Sequence, residues 1–174
     1  MKAMLAAALL LGVTAAAQAR AQAPAAPAAP AAARPPTPPA RGPAFALALE
    51  AANAAIKSCA GLPVAVVVLD KAGLPKLYDV PDGSNGARAL MAFRKANTAL
   101  LIGAPTEESV ARGEADPALK AKLAGPEYVA NAGGLPITVN GEVIGALAVA
   151  GAGPSAKDKA CAEDGLKAVQ SRLK

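Results

Sequence analysis

The chain has 174 residues, with 18 lysines and arginines against 13 aspartates and glutamates, and it contains no histidine. The absence of histidine excludes Ser-His-Asp and Cys-His catalysis and a histidine-ligated zinc site. Four of the 18 basic residues, Lys2, Arg20, Arg34 and Arg41, precede the predicted folded domain, so subtracting them leaves 14 basic residues against 13 acidic ones. This near balance gives no argument for nucleic-acid binding, which needs a basic patch on the domain itself.

The N-terminus predicts export. Lys2 precedes an apolar run from Met4 to Val13, which is shorter than the roughly 20 residues that a membrane-spanning helix needs but is typical of a signal peptide. Ala17-Gln18-Ala19 offers a cleavage site, so residues 1–19 are predicted to be a signal peptide. We therefore expect a periplasmic or secreted protein with no membrane span after cleavage, and the alternative is an uncleaved anchor.

Residues 20–43 are rich in proline and alanine. Proline fixes φ and removes a backbone donor, so this run forms neither a helix nor a central strand. We predict a disordered, extended polyproline-II spacer. Either it tethers the domain or it is only a solvated tail, and the sequence leaves both open.

A single α+β domain is predicted over residues 44–174, beginning with a helix at 44–59. Phe45, Leu49, Ala52, Ile56 and Cys59 recur at spacings of three and four and predict its buried face. Strands are predicted at 63–70 and 74–80, and the turn at Lys71-Ala72-Gly73 joins them. A second helix is predicted at 87–102, with an inward face made of Leu90, Phe93, Ala96, Leu100 and Leu101.

The second half of the domain predicts three more strands and a last helix. Residues 127–131 are predicted as a short third strand. Asn140-Gly141 supplies the residues of a type I′ turn between strands at 135–139 and 142–150. The last helix is predicted at 155–173, with Asp158 favouring its N-terminus. Hairpins predominate, so the sheet is predicted to be mostly antiparallel, with helices covering it.

Two glycine-rich loops are candidates for ligand binding. The loops are Asp82–Gly86 and Gly133–Pro136, and their backbone N–H groups would suit an anion such as a carboxylate. Neither loop forms a P-loop or a dinucleotide-binding fingerprint, so turn formation is the simpler interpretation. A shared site requires the two loops to meet in one cleft.

Several motifs, in the right order, resemble the GlcG/HbpS haem-binding family. They are G-L-P-V-A-V-V-V-L-D at 61–70, D-G at 82–83, K-A-N-T-A at 95–99, P-T at 105–106 and G-G-L-P-I at 133–137, followed by G-E-V-I-G-A-L-A-V-A-G-A at 141–152. The resemblance covers residues 44–174. It implies a profilin-like fold, with a five-stranded antiparallel sheet between helices, and a homo-oligomer. The sequence differs from the family pattern at Val80-Pro81 and at Ala150, where the family often has Arg-Met and Ser.

The same resemblance implies haem as the cofactor. Without histidine, the candidate axial ligands are Tyr78, Tyr128, Met91, Thr98 and Thr106. Candidate partners for the propionates are Lys95, Arg94 and Arg88, and the loop residues Asp82 and Gly134 are further candidate contacts. With only four aromatic residues, a surface or intersubunit haem site is expected rather than a deep pocket.

The resulting functional hypothesis is an exported haem- or tetrapyrrole-binding accessory protein without catalytic activity. One alternative is a periplasmic protein that binds a small carboxylate. Another is an oligomeric accessory protein with no haem. None of the motifs decides whether the chain is an enzyme.

Given the profilin-like resemblance, a disulfide between Cys59 and Cys161 is predicted. These are the only two cysteines, and an exported protein meets an oxidising compartment. In a profilin-like sandwich the terminal helices lie side by side, which would bring the end of one near the start of the other. The alternative is two free buried cysteines that act as small hydrophobic residues.

Overall fold

The structure is a computed structural model that describes residues 40–174. Its helices and strands, in chain order, are α1 (Phe45–Ser58), β1 (Ala65–Asp70), β2 (Pro75–Asp79), α2 (Gly86–Ile102), α3 (Ser109–Ala115), α4 (Pro117–Leu123), β3 (Gly134–Val139), β4 (Glu142–Ala150) and α5 (Ser155–Val169). The predicted signal peptide, and the predicted spacer up to residue 39, lie outside the described residues. Within residues 40–174, every helix is too short or too polar to cross a bilayer.

The four strands form one antiparallel sheet in the order β2-β1-β4-β3, which confirms the predicted α+β class. β1 lies in the middle, and all six of its residues are buried, as expected for its continuous run of branched apolar side chains. β3 and β4 form the predicted hairpin. Asn140 and Gly141 adopt left-handed φ values of 52° and 80°, the backbone that a type I′ turn requires at both positions.

The prediction of five strands is wrong within residues 40–174, because residues 127–131 form no strand. The backbone N–H of Val129 donates to the Thr98 hydroxyl, 3.0 Å away on α2. The Val129 N–H is therefore satisfied by a helix side chain instead of a neighbouring strand. A short apolar run does not reveal in sequence which kind of partner its backbone will find.

Helices cover both faces of the sheet. On one face α1 and α5 pack over Val66, Val68 and Leu147, and on the other face α2 packs over Val67, Leu69 and Ala148. α1 and α5 approach closely at Gly165, where an added Cβ would lie 2.7 Å from the carbonyl oxygen of Ala51. The sheet is therefore shielded by helices that small residues bring into close contact.

Two predicted helix faces are partly wrong. Phe45 and Leu49 on α1 are exposed, and Leu90 on α2 is 49 % exposed. The buried residues of α1 are Ala48, Ala51, Ala52 and Ala55. Alanine faces let these helices lie close to their neighbours, and these three large apolar side chains are turned outwards, while others such as Leu47 and Ile56 pack at the edge of the core. The spacing of apolar residues does not reveal which face of such a helix is buried, because nearly every helical turn of this chain contains an alanine.

The predicted disulfide is present. Cys59 directly follows α1, Cys161 lies in α5, and their Cα atoms are 5.5 Å apart. Both residues are buried in the core beneath α1 and α5. The bond closes a sequence separation of 102 residues and joins the first helix to the last.

The last residues of the predicted spacer contact the folded domain. The Arg41 carbonyl accepts a hydrogen bond of 2.9 Å from the Lys71 N–H, and the Arg41 guanidinium pairs with Glu142. Pro43 is buried, and a Cβ on Gly42 would lie 2.7 Å from the Cβ of Asp70. The packed part of the chain therefore begins at Arg41.

Candidate functional site

A cavity of about 460 Å³, here called the polar cavity, opens between the start of α2, the end of β4 and the start of α5. The side chains that give it its chemistry are Arg88, Met91, Lys95, Asn131, Ser155 and Asp158. They come from two helices, α2 and α5, and from one loop, which are distant in sequence. The antiparallel sheet brings them together, because the last residues of β4 lead directly into α5 beside α2.

A buried ion pair forms one wall of this cavity. Lys95 Nζ lies 2.7 Å from Asp158 Oδ2 and donates a second hydrogen bond of 3.1 Å to the Val149 carbonyl. Both residues are nearly inaccessible, at 2 % and 3 % exposed. Since an ammonium group has three donors, these contacts leave one N–H of Lys95 for another partner.

Asp158 also fixes the loop that follows β4. Its Oδ1 accepts a hydrogen bond of 2.8 Å from the Ala152 N–H. The same carboxylate therefore ties α5 both to α2, through Lys95, and to the loop beside the cavity. Charge compensation and hydrogen bonding are what a buried carboxylate needs, and both are met.

Two glycines allow the backbone to lie directly against the charged side chains of the cavity wall. An added Cβ on Gly133 would lie 2.7 Å from the Asp158 Cβ and 3.0 Å from Lys95 Nζ. One on Gly151 would lie 2.6 Å from the Cδ of Arg88. Both glycines have φ near 120°, which other residues rarely adopt. A side chain at either position would collide with the charged side chains of the cavity wall. Glycine is therefore needed at both positions for a reason beyond turn formation.

The cavity carries an uncompensated positive charge. Lys95 and Asp158 neutralise each other, whereas Arg88 has no ion-pair partner in the described part of the chain. α5 starts at Ser155 without a side-chain cap, so its first turn adds unpaired N–H groups and the positive end of the helix dipole. This combination favours a carboxylate or another anion.

Three of the predicted haem-contacting residues meet in the polar cavity: Arg88, Met91 and Lys95. Thr98 and Thr106 are fully buried elsewhere. The Thr98 hydroxyl donates to the Arg94 carbonyl at 3.0 Å and accepts from Val129. The Thr106 hydroxyl is within 3.3 Å of both the carbonyl and the N–H of Gly134. Both hydroxyls therefore form hydrogen bonds with the backbone and stabilise the fold.

The remaining candidates do not line this cavity. Tyr78 on β2 stacks against Phe93 with ring centroids 6.0 Å apart, and Tyr128 borders a separate cavity beside Lys71 and Asn97. Partial burial raises the pKa of both tyrosines. Asp82 is exposed in its loop, Arg94 is half-buried, and Gly134 is buried in β3.

One of the two glycine-rich loops lines the polar cavity. Asn85, near the end of the 82–86 loop, is a lining residue, whereas the residues of 133–136 are not, and Gly134 to Pro136 belong to β3. The Asn85 side chain also accepts the Arg88 N–H at 3.1 Å, which starts α2 at the cavity edge. Asn131 lines the cavity but lies two residues before the second loop, so the lining residues do not bring the two loops together in one cleft.

Sequence reasoning missed Asn131, Ser155 and Asp158 as cavity residues. Asp158 was interpretable only as a residue favouring a helix start, since nothing in its neighbourhood indicates a buried lysine 63 positions earlier. Asn131 and Ser155 carry no motif of their own. Only the pairing of β1 with β4 brings these segments together.

Fold and site together define a small α+β domain with a polar, positively charged cavity. Within residues 40–174 no group of three or more histidine, cysteine, aspartate or glutamate side chains could hold a metal ion. Residues 44–167 match the family described as haem degrading protein HbpS-like. The chain belongs to this HbpS-like family.

Solved structures agree with this membership. A double mutant of HbpS from Streptomyces reticuli is 33 % identical, with a TM-score of 0.66 over 80 % of this chain and 96 % of that one. Protein ORFY from Klebsiella pneumoniae is 23 % identical, with a TM-score of 0.67 over 82 % of this chain and 100 % of that one. A structure described as a PduOC:heme complex is 22 % identical, with a TM-score of 0.63 over 75 % and 96 %. The last two support the fold alone. No match was found among the curated proteins.

Proposed function

We propose that this chain is an exported haem-binding accessory protein that holds the tetrapyrrole at the polar cavity. The observation that carries the proposal is the meeting of Arg88, Met91 and an uncapped helix start in one cavity of a chain that belongs to the HbpS-like family. The description of that family as haem degrading supports haem as the ligand.

The side chains present in the cavity limit which residue could ligate the haem iron. Both cysteines are in the disulfide, so neither provides a thiolate. Thr98 and Thr106 already use their hydroxyls. The Met91 thioether would therefore be the side chain of this cavity that holds the haem iron, since thioethers ligate haem iron. When bound, haem would supply the iron centre.

The chain's own residues would orient the ligand by its carboxylates. Arg88 and the first turn of α5 suit one propionate, because guanidinium groups and helix N-termini both bind carboxylates. Lys95 would contribute its remaining N–H while staying paired with Asp158. The volume of about 460 Å³ is in the range of ligand sites, roughly 300–1,000 Å³. Because the cavity is open, the rest of the macrocycle would lie at the surface or against another subunit.

Haem titration of the purified chain tests this proposal. We expect a saturable Soret band in the wild type. Met91→Leu should shift or abolish the band, and Arg88→Gln should weaken binding about tenfold, the effect of losing one charge-assisted hydrogen bond. Lys57→Gln, which removes a cation from the end of α1, is the matched control and should bind as the wild type does. Equal binding by all four proteins would exclude the polar cavity as the haem site.

A small carboxylate is the second candidate ligand. The uncompensated Arg88 and the uncapped start of α5 at the same cavity favour it. Titration with acetate and with succinate, followed by NMR at the side-chain Nε–H of Arg88, would detect such binding without haem. Saturable shifts in the absence of any Soret band would select this function. No shift up to high millimolar concentration of either acid would remove it.

We further propose that the protein forms a homo-oligomer. The exposed Phe45 and Leu49 lie one turn apart on α1 and present an apolar surface that a second copy could cover. Light scattering should give a mass above that of one chain, and replacing both residues by glutamate should restore the monomer. A monomeric wild type at high concentration would contradict the proposal.

A further inference from the structure

The polar cavity carries more positive charge than one carboxylate neutralises. Arg88 contributes a full charge and has no ion-pair partner within residues 40–174. The start of α5 has no side-chain cap, and a helix N-terminus carries about half a positive charge. The sum of about +1.5 exceeds the single negative charge of a carboxylate. A group with a larger negative charge would therefore match the cavity better.

The acidic residue in the cavity wall does not oppose such a group. Asp158 is the one acidic residue among the described residues that line the cavity. Its Oδ2 lies 2.7 Å from Lys95 Nζ, and its Oδ1 accepts the Ala152 N–H at 2.8 Å. Lys95 compensates this charge and still keeps one N–H for a ligand, since an ammonium group has three donors and two are in use. The buried pair therefore contributes a donor to the cavity and no net charge.

The donors around the cavity belong to separate elements. Arg88 and Lys95 lie on α2, Ser155 offers a hydroxyl and a backbone N–H at the start of α5, and Asn131 adds an amide from the loop before β3. A carboxylate accepts through two oxygens that lie in one plane, whereas a phosphate group has three terminal acceptor oxygens that point in different directions. Donors spread over two helices and a loop therefore suit a phosphate group better.

The segment between β4 and α5 also lets an anion approach the backbone. Gly151 and Gly153 both line the cavity, with left-handed φ values of 116° and 105°. Neither carries a side chain that would cover the first turn of α5. A strand, a glycine-containing loop and a helix start, in this order, present backbone N–H groups to phosphate in known phosphate sites. The chain has the same order at β4, residues 151–154 and α5.

We propose that the polar cavity binds the phosphate group of a small phosphate monoester. Such a group carries about −1.5 to −2 charges at pH 7, which matches the charge of the cavity. The volume of about 460 Å³ is in the range of sites for small organic molecules, roughly 300–1,000 Å³, so the organic part of the ester has room beside the phosphate. The inference rests on the proposed function because it uses the same cavity, but it does not require haem.

Glycerol 3-phosphate, inorganic phosphate and acetate are the probes. Their binding to the full chain, without haem, is followed by the NMR signals of the Ser155 backbone N–H and the Arg88 side-chain Nε–H. We expect glycerol 3-phosphate to bind about tenfold more tightly than acetate, the gain from one further charge-assisted hydrogen bond, and at least as tightly as inorganic phosphate. Equal affinity for glycerol 3-phosphate and acetate would overturn the proposal. Tighter binding of inorganic phosphate than of the ester would also overturn it, because the ligand would then be the free ion.

Pro154→Asp tests the helix start without removing Arg88. Pro154 is exposed and occupies the N-cap position of α5, where aspartate is a favoured residue, so the variant should fold. Its carboxylate would accept the free N–H groups and repel the phosphate, and affinity for glycerol 3-phosphate should fall by about tenfold or more. Pro154→Ala is the matched control and should bind as the wild type does. Unchanged affinity in the aspartate variant would contradict the proposal.

Haem titration separates this inference from the proposed function. Saturable binding of glycerol 3-phosphate by a chain that shows no Soret band with haem would contradict haem binding and support the phosphate monoester. A Soret band in a chain whose signals do not shift with glycerol 3-phosphate, up to high millimolar concentration, would leave haem binding in place and overturn the phosphate proposal.

Discussion

At the scale of single residues, Lys95 and Asp158 determine the shape of the polar cavity. Their pairing connects α2, α5 and the loop after β4 through hydrogen bonds of 2.7, 3.1 and 2.8 Å. Removing water from two charges is costly, and the cost is offset only while both charges remain paired. The pair is therefore more important for the position of the cavity wall than for stability in itself.

Breaking the pair from either side should destabilise the fold. Asp158→Asn leaves a buried ammonium without its counter-ion, and we expect a loss of about 3–5 kcal/mol in the free energy of unfolding. Urea denaturation followed by circular dichroism measures it. Replacing both residues, as Lys95→Met with Asp158→Leu, should recover most of the loss, because no charge is then left unpaired. Lys157→Gln, on the same helix but exposed, is the control and should cost under about 1 kcal/mol.

The two tyrosines should titrate above the usual pKa. Burial raises the pKa of Tyr78, and burial together with the nearby Glu127 carboxylate raises the pKa of Tyr128. A raised pKa in the folded state means that the neutral phenol is favoured by folding. This contribution is complete below the unfolded pKa of about 10 and is lost as pH rises through the folded pKa.

Absorbance at the phenolate band should therefore rise at higher pH in the folded chain than in the chain unfolded in urea. Tyr78→Phe should remove about half of the amplitude, since the chain has two tyrosines. Coincident titrations of the folded and unfolded chains would show that neither ring is shielded from water.

At the scale of elements, the disulfide connects α1 to α5 beneath their shared face of the sheet. The closed loop spans a separation of 102 residues. Restricting the unfolded chain over such a length is worth up to about 4.7 kcal/mol in the chain-entropy model. Because Gly165 and the alanines of α1 already hold the two helices together, the fold itself should not depend on the bond.

Replacing both cysteines by alanine should lower the free energy of unfolding by about 2–5 kcal/mol and leave the far-ultraviolet spectrum unchanged. Denaturation in urea measures the loss. Dithiothreitol should destabilise the wild type by a similar amount and should have no effect on the double variant. A double variant as stable as the oxidised wild type would show that the bond contributes nothing.

Local chemistry made some elements predictable. Asn140-Gly141 determined the β3–β4 hairpin, because few other dipeptides accept two left-handed residues in succession. The branched run of β1 indicated a central strand. In contrast, residues 127–131 could equally have paired with a strand or with a side chain, and Thr98 provided the latter. The inner face of α1 was not predictable, since its buried side is made of alanines.

At the scale of the whole molecule, the polar cavity is a product of topology. Lys95 was a predictable candidate through the family resemblance, but its partner Asp158 lies 63 residues away and only the finished sheet brings them together. The packing of the two seven-residue helices α3 and α4 is likewise not indicated by any periodicity. The sequence therefore predicted the class of fold and part of the polar cavity, whereas the shape of that cavity required the structure.

The central claim is that this HbpS-like chain carries haem at the polar cavity. The most direct measurement is the absorption spectrum of the full-length protein purified from its native cells, without added haem, with the haem content determined against protein concentration. We predict a Soret band and substoichiometric to equimolar haem in the wild type, and loss of the band in the Arg88→Gln, Met91→Leu double variant. A wild-type protein that shows no Soret band as purified and acquires none when micromolar haem is added would contradict the claim.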